Sequence, residues 1–340
     1  MFAANSIWHH LFPADAPIDP KSPEYVANLA AQVTAHGATF EYRDWSITRW
    51  TAGAGTATQK VWLDAADNSQ PKLVEAISAV PIPTEMRPPG PFPGDNPVCI
   101  WDPTNDRYWE FHGMRLVPFE AARTSAEVAG CSTLAEPGWH CDSAAAVANV
   151  SASPGYFVDN AWPGVTGKHW GVSGSGLFLW HAPITVAEAQ RGYIPHPIRF
   201  ECVDRQKTVF RWPAQKTDGK STDSTAPMEG MLFRLPANWT PKHPDAFMRA
   251  VETAIRDRGL LLTDGASNVS IKCASEATIG GSQSYTTDAW KGSLEQFGKG
   301  GAIFSKFPNE LGPELPWSSL EVIDASYRPA TIAPGMLGRG

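Results

Sequence analysis

The sequence predicts a mainly β protein, a β-sandwich or jelly roll carrying a few peripheral α-helices. Three observations point there. Only 19% of the 340 residues are charged, below the roughly 25% of an average soluble domain. Turn formers and aromatics are abundant, with 30 Pro, 29 Gly and 14 Trp. Short β-branched and aromatic runs bounded by those turn formers recur along the chain, the pattern of strands and long connections rather than of a helical bundle. With no internal repeat and no low-complexity linker, residues 1–340 read as a single β-rich domain.

The elements follow in order. Residues 1–40 read as an N-terminal arm plus a helix over 22–36. Ser22 is a plausible N-cap, Pro23 suits the first helical position and Gly37 suits the stop. Tyr25, Val26, Leu29, Ala30 and Val33 share one face at helical spacing. Residues 82–97 hold six prolines and predict an extended surface crossing. PVCIWD and RYWEFH, separated by PTND, predict a β-hairpin over 97–112. Further strands are expected at 198–203, 208–212, 230–235 and 268–273. Thr185 and Glu188 form a capping-box pattern for a short helix that Gly192 closes. A last helix runs from about Pro244 to Arg258, with Phe247, Ala250, Val251, Ala254 and Ile255 on one face and Gly259 at its end.

Composition removes several function classes. At 42% hydrophobic the chain can bury a core without disulfides or a metal. The net charge of −7 and the lack of any dense basic stretch argue against nucleic acid as a partner. No run of about 18 apolar residues is present, so no membrane span is expected. Cys99, Cys131, Cys141, Cys202 and Cys273 include no C-x-x-C pair and no Cys/His cluster with zinc spacing. No metal site and no cofactor are therefore predicted. A calcium ion held on loop carbonyls would leave no motif. Cys131 and Cys141 flank an EPG turn that could bring them within bridging distance, so a disulfide there competes with two buried thiols.

Candidate chemistry starts on the hairpin. Alternation along a strand places Tyr108, Glu110 and His112 on one face, with Trp109 and Phe111 on the other. A carboxylate beside an imidazole and an aromatic ring is what a glycan site uses, acid/base groups for the glycosidic oxygen and a ring for the sugar's C–H face. The alternative is a solvated strand face with an ordinary ion pair. His196 lies between two prolines that fix its backbone, suited to catalysis or to bonding a buried carbonyl. Asp218, before Gly219, is either a carboxylate at a cleft rim or plain turn chemistry. Of the aromatics, Trp101, Trp180 and Trp212, with Tyr108, are the candidate stacking residues. GVSGSG at 171–176 fits neither a nucleophile elbow nor a phosphate-binding loop and reads as a flexible loop.

Ordered segments then carry a resemblance. NSIWHHLFPADAPIDPKSPEYVANL, CIWDPTNDRYWEF, SPGYFVD, SGLFLWHAPITVAEAQRGYIPHPIRF, FRWPAQKTDG, PMEGMLFRL and FPNELGPELPW occur in that order between about residues 5 and 325. Together they resemble a largely uncharacterised family of actinobacterial secreted β-rich proteins, with counterparts among minor tail proteins of mycobacteriophage-like actinobacterial phages. Family members read SGLP-L-x-GL and I-x-HALRF in the later segments; here Phe178 and Trp180 replace smaller residues while His196 keeps its place.

The resemblance implies a virion-associated tail protein that contacts cell-wall polysaccharide, with other tail subunits or further copies of itself as partners. The N-terminal segment lacks the charged and apolar regions of a signal peptide, which fits a protein made inside a host and released by lysis. A mature secreted protein is the alternative location. Two other functions compete. One is a secreted carbohydrate-active enzyme, hydrolase or lyase, drawing on Glu110, His112, His196 and Asp218. The other is a purely structural tail protein.

Overall fold

The computed structural model describes residues 1–4, 6–42, 45–64, 71–87, 95–117, 137–155, 157–159, 168–181, 183–275, 290, 303, 306 and 308–328. Strand exceeds helix, 28% against 22%. The first half contains α1 (Ser22–His36), β1 (Ala38–Glu41), β2 (Thr48–Thr51), β3 (Thr58–Gln59), β4 (Val61–Leu63), α2 (Pro71–Ala76), β5 (Val80–Pro81), β6 (Val98–Asp102), β7 (Arg107–His112), β8 (Arg115–Val117), β9 (Gly138–Cys141) and β10 (Ser143–Ala148). The second half contains β11 (Phe157–Asp159), β12 (Lys168–Trp170), α3 (Val186–Arg191), β13 (Ile198–Cys202), β14 (Leu232–Arg234), α4 (Ala246–Asp257), β15 (Leu260–Gly265), β16 (Val269–Lys272), α5 (Pro308–Leu311) and β17 (Glu321–Val322).

Two sheets dominate. The larger has the order β1-β16-β13-β15-β14-β17, and the second β10-β7-β6-β2. A three-stranded sheet β4-β9-β8 and two strand pairs complete the set. Among the described residues β1/β16, β13/β15, β2/β6 and β4/β9 run parallel, so both large sheets are mixed.

Period-two alternation explains how these sheets layer. Phe40, Ile198, Phe200, Leu260, Leu262, Val269 and Ile271 point to one face of the large sheet, where they pack against Tyr25 and Leu29 of α1 and Phe247 and Val251 of α4. Leu261 and Leu232 point to the opposite face and share a cluster with Cys99, Tyr108 and Val147 of the second sheet. The N-terminal arm fills that interlayer with Phe2, Ile7 and Trp8. The outer face of the second sheet, with Ile100, Trp109 and Phe111, packs on Val61, Trp139 and Cys141 of the three-stranded sheet.

Most elements stand where the sequence places them. α1 spans 22–36, but its N-cap is Lys21; the Ser22 hydroxyl instead accepts the Val322 N–H at 2.8 Å, tying the helix to the edge strand β17. The Thr185 capping box forms with both hydrogen bonds in place. α4 starts at Ala246, two residues later than expected, because Asp245 caps it by accepting from Phe247 and Met248.

Two expectations change, and a third falls partly outside the described residues. Residues 208–212 form no strand and join the sheet region only by a bridge from Phe210 to Glu229. Residues 88–94 of the proline-rich segment lie outside the described residues, and Ile82, Met86 and Asn96 of the remainder are buried, so those positions run into the core rather than over the surface. Cys141 is a buried free thiol, and its proposed partner Cys131 lies outside the described residues.

Candidate functional site

The interlayer that is apolar around Trp8 and Leu261 turns polar toward one end. The same alternation that sends Ile198, Phe200 and Ile271 to the helices sends Arg199, Glu201 and Lys272 to the other face. There they line a cleft of about 300 Å³. Asp264 and Gly265 at the end of β15 join that wall. Asp95, Pro97, His112 and Ser143 come from the second sheet and its approach, and Val172, Ser173 and Gly174 from the glycine-rich loop. Trp45, Ile47, Leu179, Lys216 and Asp218 complete the lining.

A ladder of ion pairs crosses the floor. Arg199 Nη2 lies 3.1 Å from Asp264 Oδ2 and 2.6 Å from Glu201 Oε1. Glu201 Oε2 lies 2.9 Å from Lys272 Nζ, which also donates to the Trp45 carbonyl at 3.1 Å. Arg199 is only 4% exposed, and its Nε and Nη1 have no hydrogen-bond partner among the described residues. A buried charge with unused donors is costly to keep unless water or a ligand supplies acceptors. At the other end of the ladder Trp45 leaves 49% of its surface exposed. The lining carboxylates Asp95, Glu201, Asp218 and Asp264 face the cations Arg199, Lys216 and Lys272, so the cleft is nearly balanced in charge.

The loop read as flexible is a tight, bonded turn. Gly171 donates to the Gly176 carbonyl at 2.7 Å, Gly176 to Ser173 at 2.9 Å and Ser175 to Thr263 at 3.0 Å. Gly174 donates its N–H to Asp264 Oδ2 at 2.9 Å. A side chain there would have to push two carboxylates aside. A Cβ at 174 would stand 2.6 Å from Asp264 Oδ1 and 2.9 Å from Glu229 Oε1.

Behind the loop, oxygen atoms of Asp218, Glu229 and Asp264 lie within 4.8 Å of one another. Arg205 Nη2 reaches Asp218 Oδ1 at 3.0 Å, while its Nε stands 3.7 Å from Glu229 Oε1. The three carboxyls respond differently. Burial and then the Asp218 charge push Glu229 up to about 8. Burial and Glu201 also raise Asp264. Burial works the same way on Asp218, but the Arg205 guanidinium and neighbouring hydrogen bonds carry it below its ordinary value. These are the residues whose chemistry suits a metal, and they are all oxygen donors.

Of the residues nominated from sequence, His112 and Asp218 both line the cleft. His112 Nε2 lies 3.5 Å from Asp95 Oδ1, a contact that raises the imidazole and lowers the carboxyl. Tyr108, Glu110 and His112 do share a face, as alternation predicts, but it is the inner face. Glu110 is fully buried; it accepts from the Tyr108 hydroxyl, from Val172 N–H at 2.7 Å and from Leu179 N–H at 2.9 Å. Burial raises its carboxyl, and those three donors oppose the shift. Glu110 thus anchors the loop beside the cleft.

The remaining nominees do not gather there. Tyr108 is fully buried, with its hydroxyl also 3.2 Å from Cys99 Sγ. His196 is buried, with Nδ1 2.8 Å from the Pro197 carbonyl and Nε2 3.4 Å from Glu188, the structural role foreseen as one alternative. Trp180 is 9% exposed and meets Trp101 and Tyr108 edge-on at 5.8 and 6.1 Å. Trp212 is half-buried with Arg328 stacked 4.8 Å from its ring centre. Sequence reasoning missed Arg199, Glu201, Lys272, Glu229, Asp264 and Trp45. Alternation within IRFECV and NVSIKC held the available signal, since charged residues at alternate positions of a buried strand need partners.

Comparison with protein families, with curated proteins and with solved structures returns no match. No helix among the described residues is long and apolar enough to cross a membrane.

Proposed function

We propose that the protein binds a cell-wall glycan in this cleft, as a virion-associated minor tail protein of an actinobacterial phage. The observation that carries the reading is the half-exposed Trp45 ring at the end of the Asp264–Arg199–Glu201–Lys272 ladder. An open indole offers a face to the C–H side of a pyranose, while carboxylates and guanidinium nitrogens take hydroxyl groups. Near-balanced charge favours a neutral, hydroxyl-rich ligand over a phosphate-rich one. In this reading the two large sheets are the layers of a β-sandwich whose interlayer opens as the cleft. The tail assignment rests on the ordered sequence segments alone.

A second reading, a carbohydrate-active enzyme, is favoured by one observation. His112 and Asp218, an imidazole and a carboxylate, both line the cleft.

Incubation with mycobacterial and related cell-wall polysaccharides tests both. Co-sedimentation without soluble sugar is the expected result, and Trp45→Ala should weaken binding by about tenfold, as loss of a contact aromatic does, with unfolding temperature unchanged. Release of oligosaccharide would establish the enzyme reading instead. Absence of any binding by the wild type would overturn the glycan function and leave a purely structural tail role.

A further inference from the structure

We propose that Asp218, Glu229 and Asp264 form a calcium site that opens into the cleft. The proposal deepens the glycan reading and rests on it only for the role of the ion, not for its binding.

Three observations converge. The carboxylate oxygens lie within 4.8 Å of one another. That is the spacing of ligands on opposite sides of an ion held at about 2.4 Å. Glu229 is fully buried; its Oε2 accepts the Asp218 N–H at 3.2 Å, but its Oε1 has no hydrogen-bond partner among the described residues, since the ion-pair contact from Arg205 Nε, at 3.7 Å, is too long for one. A buried carboxylate oxygen without a donor is an acceptor left waiting for a cation or a proton. Finally, Gly174 leaves open a cradle that any side chain would fill, since a Cβ there would touch Asp264 Oδ1 and Glu229 Oε1 together. The two oxygens therefore converge on one small space beside the loop.

The donor set selects the ion. Three carboxylates with no histidine or thiol among them suit a hard cation rather than zinc. Calcium tolerates the irregular geometry of ligands drawn from a strand end and a long connection, whereas magnesium demands a regular octahedron. Arg205 supplies one positive charge to the cluster, fixed by bonds from Nη1 to the carbonyls of Cys202 and Val203 at 2.8 and 2.6 Å. Arg199 pairs with Asp264 but shares its charge with Glu201, which Lys272 also contacts, so three cations face the four carboxylates Glu201, Asp218, Glu229 and Asp264 and one negative charge is left over. Asp218 and Asp264 also line the cleft, so an ion between them faces it, and hydroxyls of a bound sugar can complete the shell.

Calorimetric titration of the full chain with calcium chloride, without glycan, tests the site, alongside thermal unfolding in calcium and in EDTA. Saturable binding of one ion per chain and an unfolding temperature several degrees higher in calcium are expected. Glu229→Gln keeps the size of the buried side chain and should abolish the calcium response. Asp218→Asn, at a half-exposed position that does not threaten folding, should weaken binding by at least about tenfold, the usual consequence of removing a ligand charge. Absence of heat and of any thermal shift at about 5 mM calcium, above the range of the weakest extracellular sites, would overturn the proposal. So would an unchanged response in both variants. Glycan binding by the wild type in EDTA would leave the cleft reading standing while removing the ion from it; an intact calcium response in a protein that binds no glycan would do the reverse.

Discussion

Val172 donates its backbone N–H to Glu110 at 2.7 Å across 62 residues of sequence. That bond joins the second sheet to the loop bordering the cleft, and Leu179 makes the companion bond at 2.9 Å. Glu110→Ala strips acceptors from two main-chain donors and the Tyr108 hydroxyl. With each orphaned buried donor costing about 1–3 kcal/mol, the variant should unfold at markedly lower urea concentration. Glu110→Gln, which keeps one acceptor oxygen, should lose less. A Glu110→Ala protein as stable as the wild type, but unable to act on glycan, would return Glu110 to the catalytic role that the strand pattern suggested.

Acid should weaken the fold in two stages. Burial pushes His181 from 6.5 down to about 2, and burial with the Arg258 charge pushes His10 from 6.5 down to about 4. Both rings stay neutral in the folded protein while the unfolded chain takes up protons below 6.5. Stability is therefore complete above that value and declines as pH falls below it, to about 4 for the His10 contribution and on to about 2 for that of His181. Glu188 adds the second stage. Burial opposes its ionisation, but its contacts with His196 and Thr185 hold it at about 2 against an ordinary 4.5, so its contribution disappears as pH falls from 4.5 toward 2. Urea midpoints measured across this range should trace both stages, and His181→Phe, packed against Phe2, should flatten the upper one.

Thiol titration addresses the cysteines. Cys99, Cys141, Cys202 and Cys273 are buried, and burial raises every one of these thiols. They should react with a disulfide reagent only on unfolding. Five thiols in denaturant without reductant is the expected total. A count of three would show Cys131 and Cys141 joined.

Thr185→Ala removes the hydroxyl that accepts the Glu188 N–H at 3.2 Å and leaves Glu188 without the Thr185 side-chain bond of 2.7 Å. The expected loss is about 1 kcal/mol, read as a shift in the urea midpoint. Because Glu188 also approaches His196, the variant should disturb the strand entrance at Pro197 without altering the cleft.

Local patterns in the sequence foretold local structure well. The spacing of Tyr25, Val26 and Leu29 yields α1, the Thr185 box yields α3, and the alternation of Tyr108 with Glu110 yields the correct shared face. Alternation does not say whether that face meets water or another sheet, and here the larger sheet, the N-terminal arm and the loop at Val172 cover Tyr108 and Glu110. The cleft was harder to see because its walls come from distant segments. Arg199 and Lys272 meet the same Glu201 only because β13 pairs with β16, Phe200 opposite Ile271, and no local pattern in either strand encodes that register. Glu229 sits in a PMEGM run that suggests a turn, and its burial follows from the packing of Gly174 against it.

The arm that fills the interlayer constrains the order of events during synthesis. Trp8 donates its indole N–H to the Gly155 carbonyl at 3.0 Å, and its ring belongs to a cluster completed by Leu261 and Ile323. Synthesis runs N-terminus first, so Trp8 is made long before Leu261 and Ile323. At typical elongation rates that gap is on the order of tens of seconds, far longer than hydrophobic collapse takes. Throughout that time Phe2, Ile7 and Trp8 have no finished partner surface and stay open to non-native contacts. A protein cut short before Leu261 would not be a smaller stable unit but one with an uncovered aromatic arm.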